Sequence, residues 1–374
     1  MQTRKNGTMA NQRSLSDPWK LGCLHVPNRV MLAPLAGIGN WFVRLQAKRF
    51  GAGMAVSEML SSHAIHHRNQ RTCGEMLRID PRERAGGPVS MQLFGEDPAM
   101  MRSAAAHVAR AGADAIDINM GCPVSKVCKT GAGAALLADP DRAVALARAA
   151  VEGAREGALA APVPVTVKLR SGLRGSDRAG FQLAHRLVEE AGVAAIGFHP
   201  RSAEVQHKGA PDYELAARLV SSLRAPVILT GGLSDARRVR EAFEATGAEA
   251  VMLARGALGN PWLFSQLLEG HERRPTPREV LLELEWVIER ALEHLGEQRA
   301  SRYLRKFYPW YVARLELGGS EARTLQQSLQ SAATLGHARA LLRASQPPSQ
   351  GPPERVLAQS APRYTAALAK AAGT

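Results

Sequence analysis

The stretch Ala115-Ile116-Asp117-Ile118-Asn119-Met120-Gly121-Cys122-Pro123 shows the pattern that decides the fold. Its first five residues form a run too short for a helix, and glycine and proline follow closely, as is typical of a buried strand and its turn. An amphipathic helical pattern over Asp141–Glu156 comes next, and a second buried run, Val165–Lys168, follows it. A strand, a helix and a second strand in this order predict a parallel βαβ unit.

The same alternation extends in both directions along the chain. Eight runs predict strands at Arg29–Ala33, Met54–Ser57, Val89–Leu93, Ala115–Asn119, Val165–Lys168, Ala195–His199, Val227–Thr230 and Ala250–Leu253. Helical patterns lie between most of them, at Pro98–Ala111, Asp141–Glu156, Ala179–Ala191 and Asp235–Thr246. Eight such units predict an α/β fold, a (β/α)8 TIM barrel. A doubly wound sheet is the alternative, but it usually has G-x-G-x-x-G after its first strand, where this chain has Pro34-Leu35-Ala36-Gly37.

The chain divides into four predicted regions. Residues 1–18 are polar, lack the apolar segment of a secretory signal and predict a flexible leader, and residues 19–270 form the barrel. Residues 271–343 predict a small helical domain after a polar linker with two prolines, with helices at Glu279–Leu295, Arg302–Leu315 and Glu321–Leu342. Residues 344–374 begin with a segment rich in Pro, Gln and Ser and predict a disordered tail.

Composition narrows the class of protein. With 45% hydrophobic residues in 374 the chain is globular, and no apolar run approaches the roughly 20 residues of a membrane span. Its four cysteines form no C-x-x-C pair and have no zinc-ligand spacing, so we expect reduced thiols, no metal and a cytoplasmic protein. The formal net charge of +14 favours a polyanionic partner such as nucleic acid, although a compositional bias toward arginine would give the same charge.

Active sites of (β/α)8 barrels lie at the C-terminal ends of the strands. In this chain nearly every predicted strand ends in a polar residue or a glycine turn: Pro34-Leu35-Ala36, Glu58, Gln92, Asn119 with Cys122, Lys168, His199, Thr230-Gly231-Gly232 and Ala254-Arg255-Gly256. A barrel used only as a scaffold would not need such convergence. The sequence therefore predicts an enzyme with its site at this end of the barrel.

Glycine-rich turns after the last two strands occupy the usual phosphate site of the fold, where backbone N–H groups face the anion and Arg255 can add charge. The alternative is that Gly231, Gly232 and Gly256 only make tight turns. Lys168 closes an apolar strand, and a cation there is costly unless it meets an anion or an electron-rich ring. It is a candidate Schiff-base former, phosphate ligand or flavin partner, or else a strand-end lysine that extends toward solvent.

Cys122 follows the fourth strand at the catalytic face. A cysteine thiol has an ordinary pKa of about 8.5, so it is mainly protonated at neutral pH and can donate a proton. A neighbouring Lys or His could instead make it a thiolate nucleophile. Cys128 lies on the same loop and is interpreted as a bystander, whereas Cys23 and Cys73 are expected to be buried as small apolar residues.

These segments together resemble the tRNA-dihydrouridine synthase family, and most closely its bacterial B-type branch. They keep the family's order and spacing from about residue 26 to 268: Leu32-Ala33-Pro34-Leu35-Ala36-Gly37, Ser57-Glu58-Met59, Asp117-Ile118-Asn119-Met120-Gly121-Cys122-Pro123, Lys126-Val127-Cys128-Lys129, Gly131-Ala132-Gly133-Ala134-Ala135-Leu136-Leu137, Val167-Lys168-Leu169-Arg170-Ser171-Gly172 and His199-Pro200-Arg201. The resemblance implies reduction of the C5=C6 bond of specific uridines in tRNA, with FMN as cofactor and NADPH (or NADH) as electron donor.

The resemblance also implies roles for individual residues. Cys122 would be the general acid, and the FMN would be held by Pro34, Leu35, Ala36, Gln92, Asn119, Lys168, His199, Gly231, Gly232, Ala254 and Arg255. The charge of the chain separately suggests candidates for contact with the tRNA, which are Arg201, His207 and Lys208 in the barrel and Arg302, Arg305, Lys306 and Arg314 in the tail. The tail mixes these cations with Tyr308 and Tyr311, as RNA readers often do. The alternative for this tail is an ordinary amphipathic helix packed on the barrel.

Four segments depart from the family pattern. The chain has Thr230-Gly231-Gly232 where the family commonly has Asn-Gly-Asp, and Ala254 where it has glycine before arginine. Phosphate contacts there come mainly from the backbone, so these changes matter little. Ala203 replaces a basic residue and Leu173 an aromatic one, which concerns the substrate more than the cofactor.

Two other functions compete with this interpretation. An FMN barrel that acts on a free pyrimidine would reduce or oxidise the same bond, but it would need neither the net charge nor the helical tail. A non-catalytic RNA-binding barrel is the alternative of another class, and it would not need Cys122, Lys168 and His199 together.

Overall fold

The computed structural model describes residues 13–345, so residues 1–12 of the predicted leader and residues 346–374 of the predicted tail lie outside the described residues. Residues 13–18, which the prediction included in the leader, pack on the barrel. Leu15 is buried and its carbonyl accepts from the backbone N–H of Arg29, while Arg13 pairs with Glu249 at 2.8 Å. One apolar residue in a polar segment was too weak a signal to reveal this contact.

A short hairpin closes the bottom of the barrel. Strands β1 (Trp19–Leu21) and β2 (Leu24–Val26) pair antiparallel, and the prediction missed them because each has only three residues. Their buried side chains pack against residues at the starts of the barrel strands, among them Met54 and Ala115. Cys23 lies in the hairpin turn and is exposed, so the expectation that it is buried is wrong.

The predicted (β/α)8 barrel is confirmed. Eight strands form a closed parallel barrel: β3 Val30–Leu32, β4 Met54–Ser61, β5 Val89–Phe94, β6 Ala115–Met120, β7 Val165–Arg170, β8 Ala195–His199, β9 Val227–Thr230 and β10 Ala250–Leu253. Each pairs with its sequence neighbours, and β10 pairs with β3 to close the ring. Strands β4 and β7 run longer than predicted, and these extensions carry residues of the site.

Helices cover the outside of the barrel. They are α1 Trp41–Arg49, α2 Ser62–His66, α3 Pro81–Arg84, α4 Pro98–Arg110, α5 Ser125–Cys128, α6 Pro140–Gly157, α7 Ala179–Ala191, α8 Tyr213–Ser222, α9 Ala236–Thr246 and α10 Trp262–Glu269. The four predicted helices are confirmed to within a residue at each end. Aspartates cap the first turns of α4, α6, α8 and α9, because a carboxylate accepts backbone N–H groups that have no partner within the helix.

A helical unit follows the barrel. Its helices are α11 Pro277–Leu304, α12 Tyr308–Val312, α13 Gly319–Ser331 and α14 Leu335–Ala344. The predicted boundaries are wrong for all three helices, and the helix predicted at Arg302–Leu315 is in fact the end of α11 followed by the shorter α12. Helix α11 continues through a kink at Gly296 past the predicted end at Leu295, and the segment predicted as one helix from Glu321 breaks before Thr334, whose side chain caps α14.

Buried polar contacts fix this unit against the barrel. The amide of Gln46 in α1 donates to Glu283 Oε1 of α11 and to the Tyr311 hydroxyl of α12, both at 2.8 Å. The Tyr303 hydroxyl donates to the carbonyl of Ile38 at 2.7 Å, in the loop between β3 and α1. The helical unit therefore abuts the loop that lines one side of the barrel mouth. Within the described residues, none of the helices combines the length and the hydropathy needed to span a membrane.

Candidate active site

A cleft of about 800 Å³ opens at the C-terminal ends of the barrel strands. Its walls bring together every residue predicted to hold the cofactor, together with the predicted acid: Pro34, Leu35, Ala36, Gln92, Asn119, Cys122, Lys168, His199, Gly231, Gly232, Ala254 and Arg255. Their convergence follows from the topology, since parallel strands in a barrel all end at the same face. The volume lies within the range of about 300–1,000 Å³ usual for cofactor and ligand pockets.

A chain of hydrogen bonds runs along one wall of the cleft. Asp117 accepts from the Gln92 amide at 2.6 Å and from the Thr166 hydroxyl at 2.5 Å. The Gln92 carbonyl oxygen accepts from the Asn119 amide at 2.9 Å. The Asn119 carbonyl oxygen in turn accepts from the backbone N–H of Cys122 at 2.9 Å. A buried carboxylate is thus connected through two amides to the loop that carries the thiol.

The Cys122 loop is held from a second direction. The carbonyl oxygen of Cys122 accepts from the backbone N–H of Ala134 at 3.0 Å and from the Cys128 thiol at 3.2 Å. Gly133 has a left-handed backbone, with φ of +63°, and a β-carbon there would lie 2.8 Å from this carbonyl. A β-carbon at position 133 would therefore require the backbone of the Cys122 loop to shift.

Lys168 lies on β7 beside Asn119 on β6 and points into the cleft. Among residues 13–345 no acceptor lies within hydrogen-bond distance of its ammonium, although Asp117 and Cys122 act on it electrostatically. Burial, and secondarily the charge of Arg170, lower the pKa of Lys168 below its ordinary value. Because burial disfavours the charged form of Lys168, this side chain is suited to bind an electron-rich ligand that stabilises the charged form.

His199 at the end of β8 is buried and neutral. Burial, together with Lys168, Arg170 and Arg201, holds the pKa of His199 far below its usual range. The Arg201 guanidinium lies 3.1 Å from His199 Nε2, and because a guanidinium only donates, Nε2 must be the acceptor and Nδ1 carry the proton. The ring of His207 stacks at 6.1 Å from that of His199, and partial desolvation, together with the charges of Arg255 and Arg170, lowers the pKa of His207 to about 4.

Arg170 belongs to the site, although the sequence prediction did not select it. It is 3% exposed, and its guanidinium donates to the carbonyls of Gly121, Ser202 and Gln206 at 2.8, 2.9 and 2.7 Å. These bonds connect the Cys122 loop to the loop after β8. Arg170 lies two residues after Lys168, so both face the same side of β7, and this spacing is a signal that could have identified it.

The far end of the cleft is built from backbone and cations. Gly231 and Gly232 have φ of +98° and +78°, and a β-carbon on Gly231 would collide with the His199 ring. A short helical turn, Arg255–Ala257, begins directly after β10, so its first N–H groups have no partner within the turn. Arg238, which the sequence prediction did not select, lines this end together with Arg255. The end is suited to an anion.

The predicted RNA-contact residues fall into separate groups. Arg201, His207 and Arg314 line the main cleft. Arg302 and Lys306 line a second cleft of about 290 Å³ between the barrel and α11, where Lys306 donates to the carbonyl of Gly37 at 3.0 Å. Lys208 is exposed and Arg305 half-buried, and they line neither of these clefts.

Two tyrosines of the tail, by contrast, are buried. Tyr308 and Tyr311 are 1% and 0% exposed, so the interpretation that they help to read RNA is wrong. The two departures from the family pattern that concern the substrate, Leu173 and Ala203, lie together with Cys128 in a third cleft of about 370 Å³. In the part of the chain that the structure describes, no three His, Cys, Asp or Glu side chains are grouped to hold a metal ion.

A closed parallel barrel with a cation-lined cleft at its mouth is an architecture used by flavin-dependent oxidoreductases, and the similarity of the chain to dihydrouridine synthases makes it an enzyme of that class. The family model described as dihydrouridine synthase matches residues 31–346. The chain therefore belongs to the dihydrouridine synthase family.

Individual relatives agree with this assignment. The chain is 36% identical to tRNA-dihydrouridine synthase B of Pseudomonas aeruginosa, over 83% of this chain and 91% of the relative. It is 34% identical to tRNA-dihydrouridine synthase B of Xanthomonas axonopodis pv. citri, over 78% and 86%. Among solved structures, a complex of 2-naphthoyl-CoA reductase aligns with a TM-score of 0.52 at 12% identity, over 69% of this chain and 52% of that one. At that identity the alignment supports the fold alone.

Proposed function

We propose that this enzyme reduces the C5=C6 bond of specific uridines in tRNA to dihydrouridine, with FMN as cofactor, NADPH as electron donor and Cys122 as general acid. The observation that carries the proposal is the position of Cys122 in the same cleft as Lys168 and the anion-binding turns. The family assignment and the names of the relatives support the choice of tRNA. We place the reaction in the cytoplasm, where the substrate is found.

The residues of the cleft fit flavin mononucleotide. Gly231, Gly232 and Arg255 would hold its phosphate, since glycine leaves the backbone N–H groups accessible and arginine adds charge. Lys168 and Gln92 would hydrogen-bond to the polar edge of its ring, which gives the otherwise unpaired ammonium a partner. When bound, the flavin supplies the hydride that adds to C6 of the uracil.

The protein's part in the chemistry is to protonate C5. Hydride addition at C6 leaves negative charge on C5 and O4 of the uracil, and the thiol of Cys122 donates its proton to C5. Asn119 and Arg170 keep the loop of Cys122 in place through its backbone. Neutral His199 adds no charge to the cleft. The uridine must leave the stacked tRNA to enter, at a cost of a few kcal/mol that contacts with the basic surface offset.

Cys122→Ala tests the acid. Flavin binding and flavin reduction by NADPH should remain nearly intact, because neither needs a proton from Cys122. Reoxidation of the reduced flavin by tRNA should slow by about 10²–10⁴-fold, the usual range for a lost general acid. Stopped-flow traces of the two half-reactions measure both rates.

Cys128→Ala is the matched control for Cys122→Ala. Cys128 lies on the same loop, and its thiol donates to the Cys122 carbonyl rather than facing the main cleft. Its removal should change reoxidation by less than about tenfold, since it removes only one of two hydrogen bonds to that carbonyl. If Cys128→Ala is inactive and Cys122→Ala reoxidises at the wild-type rate, the acid has been assigned to the wrong thiol.

A flavin enzyme acting on a free pyrimidine is the competing function. Mass spectrometry of tRNA before and after incubation with the enzyme and NADPH distinguishes the two. Dihydrouridine in the treated tRNA supports the proposal. Turnover of free uracil with unchanged tRNA would replace it.

A further inference from the structure

Asp117 is a buried carboxylate that the proposed chemistry does not use. It lies on β6, 2% exposed, and both of its oxygens accept a short hydrogen bond, one from Gln92 and one from Thr166. Burial raises the pKa of Asp117, while these two hydrogen bonds and the charge of Lys168 oppose the rise. A charge kept at this depth is costly unless its hydrogen bonds compensate for desolvation.

An ionised carboxylate differs from an amide because it can only accept hydrogen bonds. The side chain of Gln92 must therefore present its NH2 group to Asp117 and its oxygen to Asn119. Asn119 must then present its own NH2 group to Gln92, so its oxygen faces the backbone N–H groups of Gly121 and Cys122. The carboxylate at one end and the backbone N–H groups at the other therefore require the same orientation of both amides.

The same orientation determines what the cleft offers to a ligand. One of the two N–H groups of Gln92 is used by Asp117, and its oxygen is used by Asn119. The second N–H remains, and among the described residues no acceptor occupies it. Gln92 therefore has an N–H donor left for a ligand in the cleft that it lines.

We infer that Asp117 is a positioning residue that fixes the orientation of both amides, and through them the Cys122 loop and the donor presented by Gln92. The effect on the loop is independent of the ligand, and the effect on flavin binding rests on the proposed function. Neither requires Asp117 to touch the substrate.

Asp117→Asn tests the inference with little change in size. An asparagine can donate as well as accept, so in this variant the amides are oriented from one end only, by the backbone N–H groups of Gly121 and Cys122. In the purified, flavin-containing protein, hydrogen exchange of the Cys122 backbone amide, followed by NMR, should accelerate at least about tenfold, because its acceptor has lost the support from Asp117. Thr166→Val is the matched control: it removes the other bond to Asp117, and while the carboxyl ¹³C shift shows Asp117 still ionised, and thus an obligate acceptor, exchange at Cys122 should change by less than about threefold.

The double variant Asp117→Asn with Asn119→Asp separates orientation from general damage. Asp at 119 is again an obligate acceptor, so it accepts from Gln92 and still accepts from the backbone of Cys122. Gln92 must then turn over, with its oxygen toward Asn at 117. Slow exchange at Cys122 should return, while the flavin absorption spectrum should differ from that of the wild type, because the free N–H of Gln92 has moved.

Three results would overturn the inference. The first is an Asp117→Asn protein with wild-type exchange at Cys122. The second is a double variant that exchanges as fast as Asp117→Asn. The third needs no variant and is a protonated Asp117 in the wild-type protein at pH 7.5, read from the carboxyl ¹³C shift. A protonated carboxyl can donate a hydrogen bond, so it would not force Gln92 into one orientation. A wild-type protein that forms no dihydrouridine would refute the proposed function and leave these measurements valid.

Discussion

Gly133→Ala should damage the Cys122 loop without touching the cleft. Gly133 has φ of +63°, where a residue with a β-carbon is strained by about 1–2 kcal/mol. The new carbon would lie 2.8 Å from the Cys122 carbonyl oxygen and 2.9 Å from Val127 Cγ1. Overpacking of this kind typically costs about 1–3 kcal/mol. The sum predicts a loss of about 2–5 kcal/mol in the free energy of unfolding, measured in urea.

Gly131→Ala is the matched control two residues away. Its φ is +88°, but the nearest atom to a new β-carbon is Glu96 Cβ at 3.5 Å, an ordinary contact. Only the conformational strain of about 1–2 kcal/mol should remain. The difference between the two variants isolates the collision with the loop.

The functional consequence should be confined to one half-reaction. The collision at Gly133 displaces the Cys122 loop, and a displacement of about 1 Å can cost on the order of 10²-fold in rate. Gly133→Ala should therefore slow reoxidation by tRNA about 10–100-fold and leave flavin reduction by NADPH unchanged. Equal reoxidation rates for Gly133→Ala and Gly131→Ala would refute the reasoning that this packing positions the acid.

Three further predictions concern charged groups. Lys168→Met should leave the protein folded but weaken flavin binding by about 10–100-fold, since a hydrogen bond to a charged group contributes about 1.5–3 kcal/mol. Unchanged flavin affinity in a fluorescence titration would show that Lys168 does not bind the flavin. Arg302→Ala, in the second cleft, should reduce the slope of log affinity for tRNA against log salt by about 0.7–0.9. Lys20→Ala, on the exposed hairpin at the other end of the barrel, should leave this slope unchanged. The same slope for both variants would place the RNA away from Arg302. Burial lowers the pKa of Lys48 to about 7, so between pH 7 and 10 the unfolded chain binds a proton that the folded chain does not. The wild type should therefore gain stability with rising pH relative to Lys48→Met, by at most about 1.4 kcal/mol per pH unit. The same difference in free energy of unfolding between the two proteins at pH 7 and at pH 9, measured in urea, would contradict this.

The barrel was predictable because its strands are buried on both faces. Such strands appear in the sequence as short apolar runs between glycine, proline and polar turns, and all eight lie where these runs occur. The walls of the cleft were predictable for a related reason. Closure of the barrel brings the strand ends together whatever the loops do, so Gln92, Lys168 and His199 had to meet.

Residues within the strands were harder to find than those at the ends. Asp117 and Asn119 alternate along β6, and Thr166, Lys168 and Arg170 alternate along β7. This period of two places each set on one face, and polar residues on the interior face of a barrel need partners of their own. The signal was present, but a prediction that selects residues only at the end of each strand overlooks Asp117 and Thr166, and one that ends the strand at Lys168 overlooks Arg170.

The helical unit was predicted least well because its boundaries depend on contacts between distant segments. Tyr311 is buried against α1, where Gln46, 265 positions earlier in the chain, donates to its hydroxyl. Lys306 donates to the carbonyl of Gly37, 269 positions earlier. Helical periodicity describes one face of one helix and says nothing about which loop that face will meet. The same contacts give the unit its importance for the site, because Gly37 and Ile38 directly follow Pro34-Leu35-Ala36 in the cleft wall. A ligand bound at the second cleft would thus lie against the reverse side of the loop expected to hold the flavin ring.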